Sequence, residues 1–135
     1  EYVIVFVAPE GGGPLSTELY NKVLDTCTSY GALGEWYKRY IIKVAVEDPV
    51  DIICSLGIDY GVNAESVISS VTATINSFFH IDNSDIRKVF LIGELHSQVM
   101  AVSGVSWVEF PGLPYMIQPD NGHIITLGNL VISSS

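Results

Sequence analysis

The sequence predicts an α+β fold, with a mixed or antiparallel sheet and about three helices packed on it. The segment Ile92 to Phe110 reads as a short helix that turns directly into a strand. Ile92, Leu95, Val99 and Val102 share one helical face, Gly104 supplies the positive φ that commonly ends a helix, and Val105 and Trp107 begin a period-two pattern. Upstream, Val67, Val71, Ile75 and Phe78 recur at helical spacing, with Ile68 and Phe79 widening the stripe. At 135 residues and 48% hydrophobic content the chain is long and apolar enough for a packed interior. That interior is arranged as one continuous domain or as two small lobes, a βαβ unit over 1–48 and a βααββ unit over 49–135.

Taken in order, Val3, Val5 and Val7 alternate with Ile4 and Phe6, a strand apolar on both faces and therefore expected inside a sheet. It ends at Pro9. After the loop Glu10-Gly11-Gly12-Gly13-Pro14, Ser16 is a good N-cap with Glu18 in the first turn, and Leu19, Val23 and Cys27 mark a helix closed by Gly31 and Gly34. Trp36 to Val46 is aromatic and β-branched, the composition of a second strand, with Tyr40 expected in the core. A turn at Glu47-Asp48-Pro49 then leads to a third strand, Val50 to Ile58.

Asn63 is positioned to cap the amphipathic helix. The polar run His80 to Asp85 separates that helix from Val89-Phe90-Leu91, after which Gly93 and Glu94 start the next one. Trp107, in the following strand, is expected in the core. Pro111 to Gly122 is too proline-rich for a central strand. His123 to Leu127 reads as a strand and Leu130 to Ile132 as a further one. In the proline-punctuated loop, Tyr115, Met116 and Ile117 are apolar where the surface is expected; they either fold back on the sheet or meet a partner, and they are the candidate interface residues.

Charge narrows the function classes. Six basic residues against fifteen acidic ones, a net charge of −9, argue against a phosphate-backbone partner, and the Lys38, Arg39, Lys43 group is too small to reverse that. Only 16% of residues are charged, so apolar surface is in surplus, as expected of a chain that packs in an assembly. No apolar run has the length to span a bilayer and no signal-peptide pattern opens the chain, so a soluble, membrane-free protein is expected. The first residue is Glu1 and not Met, directly before a strand, which predicts a piece of a longer polypeptide or a processed product. Cys27 and Cys54 read as two buried small hydrophobes.

Motifs that would carry chemistry fall short. A P-loop ends Gly-Lys-Ser/Thr, whereas this loop ends Gly13-Pro14-Leu15-Ser16, and the dinucleotide fingerprint needs a glycine where Ser16 stands. Glu10 would repel a phosphate, so the loop is read as a connector with a helix cap. Glu94 and His96 lie two apart and point to different sides of a helix, and His80 and His123 lie in distant segments. Neither cysteine sits in an exposed turn that would activate a thiolate. No catalytic residue, cofactor-binding residue or metal ligand is assigned.

The order of the segments resembles a known family. Ala8-Pro9-Glu10-Gly11-Gly12-Gly13-Pro14 before a helix, Glu47-Asp48-Pro49-Val50-Asp51-Ile52 between strands, an amphipathic helix, and Ile92-Gly93 through Val102-Ser103-Gly104-Val105 look like the C-terminal part of baseplate J-like proteins. These are wedge subunits of contractile phage tails and related injection machines. The resemblance implies a non-enzymatic, structural role in the virion tail baseplate, assembled in the bacterial host cytoplasm. Its partners would be other wedge and hub proteins and copies of itself. Two other classes stand beside it. One is a small-molecule-sensing α+β domain whose site would be lined by Gly11 to Gly13 and the helix starting at Ser16; the other is an enzyme fragment whose chemistry lies upstream of Glu1.

Overall fold

The valine and isoleucine alternation at the start of the chain forms strand β1 (Tyr2–Val7), which pairs in parallel with β2 (Arg39–Val44), Tyr2 opposite Arg39 and Val7 opposite Val44. Parallel strands need a crossover, and helix α1 (Thr17–Ser29) lies in it, its first turn capped by the Ser16 hydroxyl accepting from Leu19 N–H at 3.1 Å. The computed structural model describes residues 2–29, 39–80 and 84–134. Gly31, Gly34, Trp36 and Tyr37, expected to close the helix and open the next strand, lie outside the described residues.

At Ala45 the chain changes partner. Ala45 N–H donates to Val7 at 2.8 Å, continuing the first ladder, and Val46 N–H donates to Gly122 at 2.9 Å, starting the second. From there β3 (Val46–Ile58) runs parallel to β7 (His123–Ser134) and antiparallel to β5 (Val105–Glu109), in the order β5-β3-β7. Glu47-Asp48-Pro49 is therefore strand and not the expected turn. The even positions of β3 aim their N–H groups at β7, so Pro49 directs its donor-less nitrogen to the other side. There β1 has already ended and β5 begins only opposite Ser55 to Ile58. The division after Asp48 falls inside this strand.

A second correction concerns the C-terminal strands. His123 to Leu127 and Leu130 to Ile132 belong to one strand, β7, interrupted by a bulge: Val50 pairs with Leu127 and Ile52 with Leu130, leaving Gly128 and Asn129 opposite Asp51. The Asp51 carboxylate accepts Asn129 N–H at 2.9 Å and so satisfies an amide that the bulge takes out of the ladder. Gly128, between the two expected strands, is part of the bulge.

Helix α2 (Ala64–Phe79) starts where Asn63 Oδ1 accepts from Glu65 N–H at 2.9 Å and Ser66 N–H at 3.3 Å. It buries Val67, Val71, Ile75 and Phe79; Phe78 sits at the margin. A two-residue strand, β4 (Phe90–Leu91), leads into α3 (Ile92–Met100), which buries Leu95 and Val99. Both helices cover one face of the three-stranded sheet, against Ile52, Cys54 and Leu56 of β3 and Val105 and Val108 of β5. Each fully buried Ile, Leu or Val there contributes about 1.5–3 kcal/mol. Phe79 and Phe90 stack at 5.6 Å between centroids, with Phe78 edge-on to both, and close the end of this core.

The α+β class and the three helices are as expected, with parallel and antiparallel pairing mixed. Two burial expectations are not met. Ile4 is half-exposed because β1 pairs only with β2 among the described residues, so it is an edge and not an interior strand. Trp107 is 42% exposed, since the bulge between Gly57 and Ile58 shifts the register of β5 and turns the indole to the outer face.

Candidate interaction surfaces

Tyr115, Met116 and Ile117 are held by a short ladder and not by a free loop. After the Pro111-Gly112 turn, closed by Leu113 N–H to Phe110 at 3.2 Å, strand β6 (Met116–Ile117) pairs antiparallel with β4. Ile92 N–H donates to Tyr115 at 3.0 Å, tying this segment to the start of α3. The trio is split: Met116 and Ile117 point to opposite faces of β6, and Tyr115 precedes the strand. Ile117, opposite Phe90, packs against the core, while Tyr115 and Met116 stay 76% and 54% exposed. An aromatic ring and a flexible thioether on a pinned backbone suit a protein contact, because little backbone entropy remains to be lost on binding.

A second surface was not legible as one. Helices α2 and α3 occupy the face built from the even positions of β3; on the odd-position face Ile124, opposite Glu47, is fully buried, and the exposed part lies further along the strand. Ile53 and its register partner Val131 are 53% and 58% exposed there. Four residues further along β3 Trp107 lies across Gly57, where its indole takes the space that a Cβ would need. Between the two apolar groups Glu109, Ser55 and Ser133 form one polar row, with the two hydroxyls 3.5 Å apart. The signal available in the sequence was the parity of Ile53 and Val131, which becomes readable only when the β7 register and its bulge are known.

The residues considered for chemistry do not gather. His80 and His96 are exposed and lie in separate elements from His123. His123 Nδ1–H donates to both Asp48 oxygens at 2.9 and 3.0 Å, a half-buried pair across β3 and β7 that the sequence reading missed because 75 residues separate its members. Among the described residues no three His, Cys, Asp or Glu side chains are placed to hold a metal ion. Both thiols are free and buried, and burial pushes the Cys54 thiol up to about 11, which keeps it protonated and unreactive near neutral pH. No helix among the described residues is long and apolar enough to cross a membrane.

Two cavities lie beside α2. One, of about 30 Å³ between Phe78, Phe90 and Ile125, holds little more than a water. The other is an open groove of about 570 Å³ bordered by Ser77, Lys88, Glu94 and Gln98, where one cation and one carboxylate set no single ligand charge. Neither includes Gly11 to Gly13 or Ser16, where the ligand-sensing reading expected its site. No protein-family model matches this sequence, and no curated protein matches it.

Proposed function

We propose that this chain is a structural part of the baseplate of a contractile phage tail or tail-like injection machine, joining wedge and ring components through protein–protein contacts. The reading begins from the resemblance to baseplate J-like proteins. The Gly-rich loop lies between β1 and α1 and Gly104 between α3 and β5, in the order the resemblance has them, whereas Glu47 to Ile52, read there as a bridge between strands, is strand throughout.

The observation that carries it is the exposed Tyr115 and Met116 on a segment pinned to the core by the β4–β6 ladder. A mechanical joint needs apolar contact area on a backbone that does not yield, and this segment meets that description. The partners are neighbouring wedge and hub proteins and copies of this chain. Chemistry is not part of the role.

The test is assembly of a double variant, Tyr115→Ser with Met116→Ser. Tail particles from cells carrying only the variant should lose the chain or fail to form complete baseplates, while the purified variant unfolds in urea at the parent midpoint. Normal particles with the variant fully incorporated would remove these residues from the interface.

A further inference from the structure

We infer that two copies of this chain join edge to edge through β7, pairing antiparallel about a two-fold axis at Val131, so that the β5-β3-β7 sheets of both copies become one. The contact uses a different element from Tyr115 and Met116, and it is testable on the purified chain without tail particles.

The free edge follows from the register. Val46 N–H donates to Gly122, so His123, in register with Val46, turns its own N–H and C=O away from β3, where Arg87 N–H meets the carbonyl at 2.7 Å. Alternate residues do the same, and beyond the bulge at Gly128 and Asn129 they are Leu130, Ile132 and Ser134. Among the described residues no strand pairs with this side of β7. Such an edge is a template for another strand unless charge, proline or a covering element blocks it. Glu47, Pro49 and Asp51 guard the stretch of β3 between β1 and β5, and β5 carries Glu109. Leu130 to Ser134 has neither a charged residue nor a proline.

Side chains at this edge are incompletely covered. Leu130 and Ile132 point to the helix side and are partly buried against the core, and Val131, on the other side, is 58% exposed. A strand laid alongside must be apolar on both faces and uncharged. β7 is itself such a strand, and identical edges close on each other through a two-fold axis, the commonest symmetry of soluble oligomers. Centred on Val131, the pairing sets Val131 against its copy and Leu130 against Ile132 of the second copy.

Charge selects this contact in an acidic chain. With a net charge of −9, two copies repel unless the surfaces that meet carry no charge. Helix α2, which packs on β7, has no charged residue after Glu65. The nearest acid on the outer face is Asp51 of β3, and the two Asp51 side chains would stand three strand spacings apart, about 14 Å. That exceeds the screening length of about 8 Å at physiological salt.

The experiment is sedimentation equilibrium of the purified full chain up to about 0.1 mM, with amide hydrogen exchange followed across the same series. A reversible monomer–dimer equilibrium is expected, with exchange at Leu130 and Ile132 slowing as concentration rises while exchange at Tyr60 does not. Val131→Lys places two cations at the axis and should weaken dimerisation about tenfold or more, with a parent-like urea midpoint in dilute solution, while Val131→Thr keeps the dimer. A monomer at every concentration overturns the inference. So does a dimer that Val131→Lys leaves intact, or exchange at Leu130 and Ile132 that ignores concentration. None of these results alters the baseplate reading, which incorporation into tail particles tests separately.

Discussion

Gly104 has φ +95°, a conformation that L side chains rarely adopt, and an added Cβ would lie 2.8 Å from Val67 Cγ2 and 3.0 Å from Val62 Cγ1. Gly104→Val should therefore cost roughly 1–3 kcal/mol, seen as a lower urea midpoint at unchanged slope. A parent-like midpoint would mean the turn tolerates a β-branched residue. This position was legible, because a glycine between a helical stripe and a period-two run has few other uses. Trp107 was not: its side of the sheet depends on a bulge that leaves no mark in the sequence. Cys54 gives a pH prediction with a definite sign. Its thiol loses a proton near 9 in the unfolded chain and near 11 in the fold, so unfolding releases a proton between those values and stability falls as pH rises through that window. Cys54→Ala should flatten this part of the urea midpoint against pH; an equally steep decline in the variant would assign it to other groups.

At the scale of the element, the amphipathic helix and its Asn63 cap were readable from spacing and side-chain chemistry alone. The two strands that carry the sheet were not read correctly, and for the same reason. Pro49 and Gly128 are usual strand breakers, yet each sits where its parallel partner makes it acceptable: Pro49 with its nitrogen on the unpaired side, Gly128 in a bulge opposite Asp51. Parallel pairing between segments 77 residues apart, Val46 with His123, has no local signature. The bulge can be tested directly. Asp51→Ala removes the acceptor of Asn129 N–H and should cost about 1 kcal/mol, with faster hydrogen exchange at Asn129 than at Ile125. Exchange unchanged at Asn129 would show that the carboxylate does not hold the bulge.

For the whole molecule, composition spoke to partners before any element did. A net charge of −9 with few charged residues predicts apolar surface that finds a neighbour, and Ile53, Tyr60, Val131, Tyr115 and Met116 are among the large hydrophobic residues left exposed. Of the candidate trio, Tyr115 and Met116 face outward, whereas Ile117 belongs to the core, a split that required knowing that β6 pairs with β4. The central claim is that this chain works inside a tail baseplate. The most direct measurement is gradient sedimentation of lysate from the source phage or cells, with mass spectrometry following the peptide that spans Val89 to Met100. The account predicts recovery with large tail particles, at a constant ratio to their other components across the peak. Recovery only among small soluble proteins, in a lysate where intact tails are present, would contradict it.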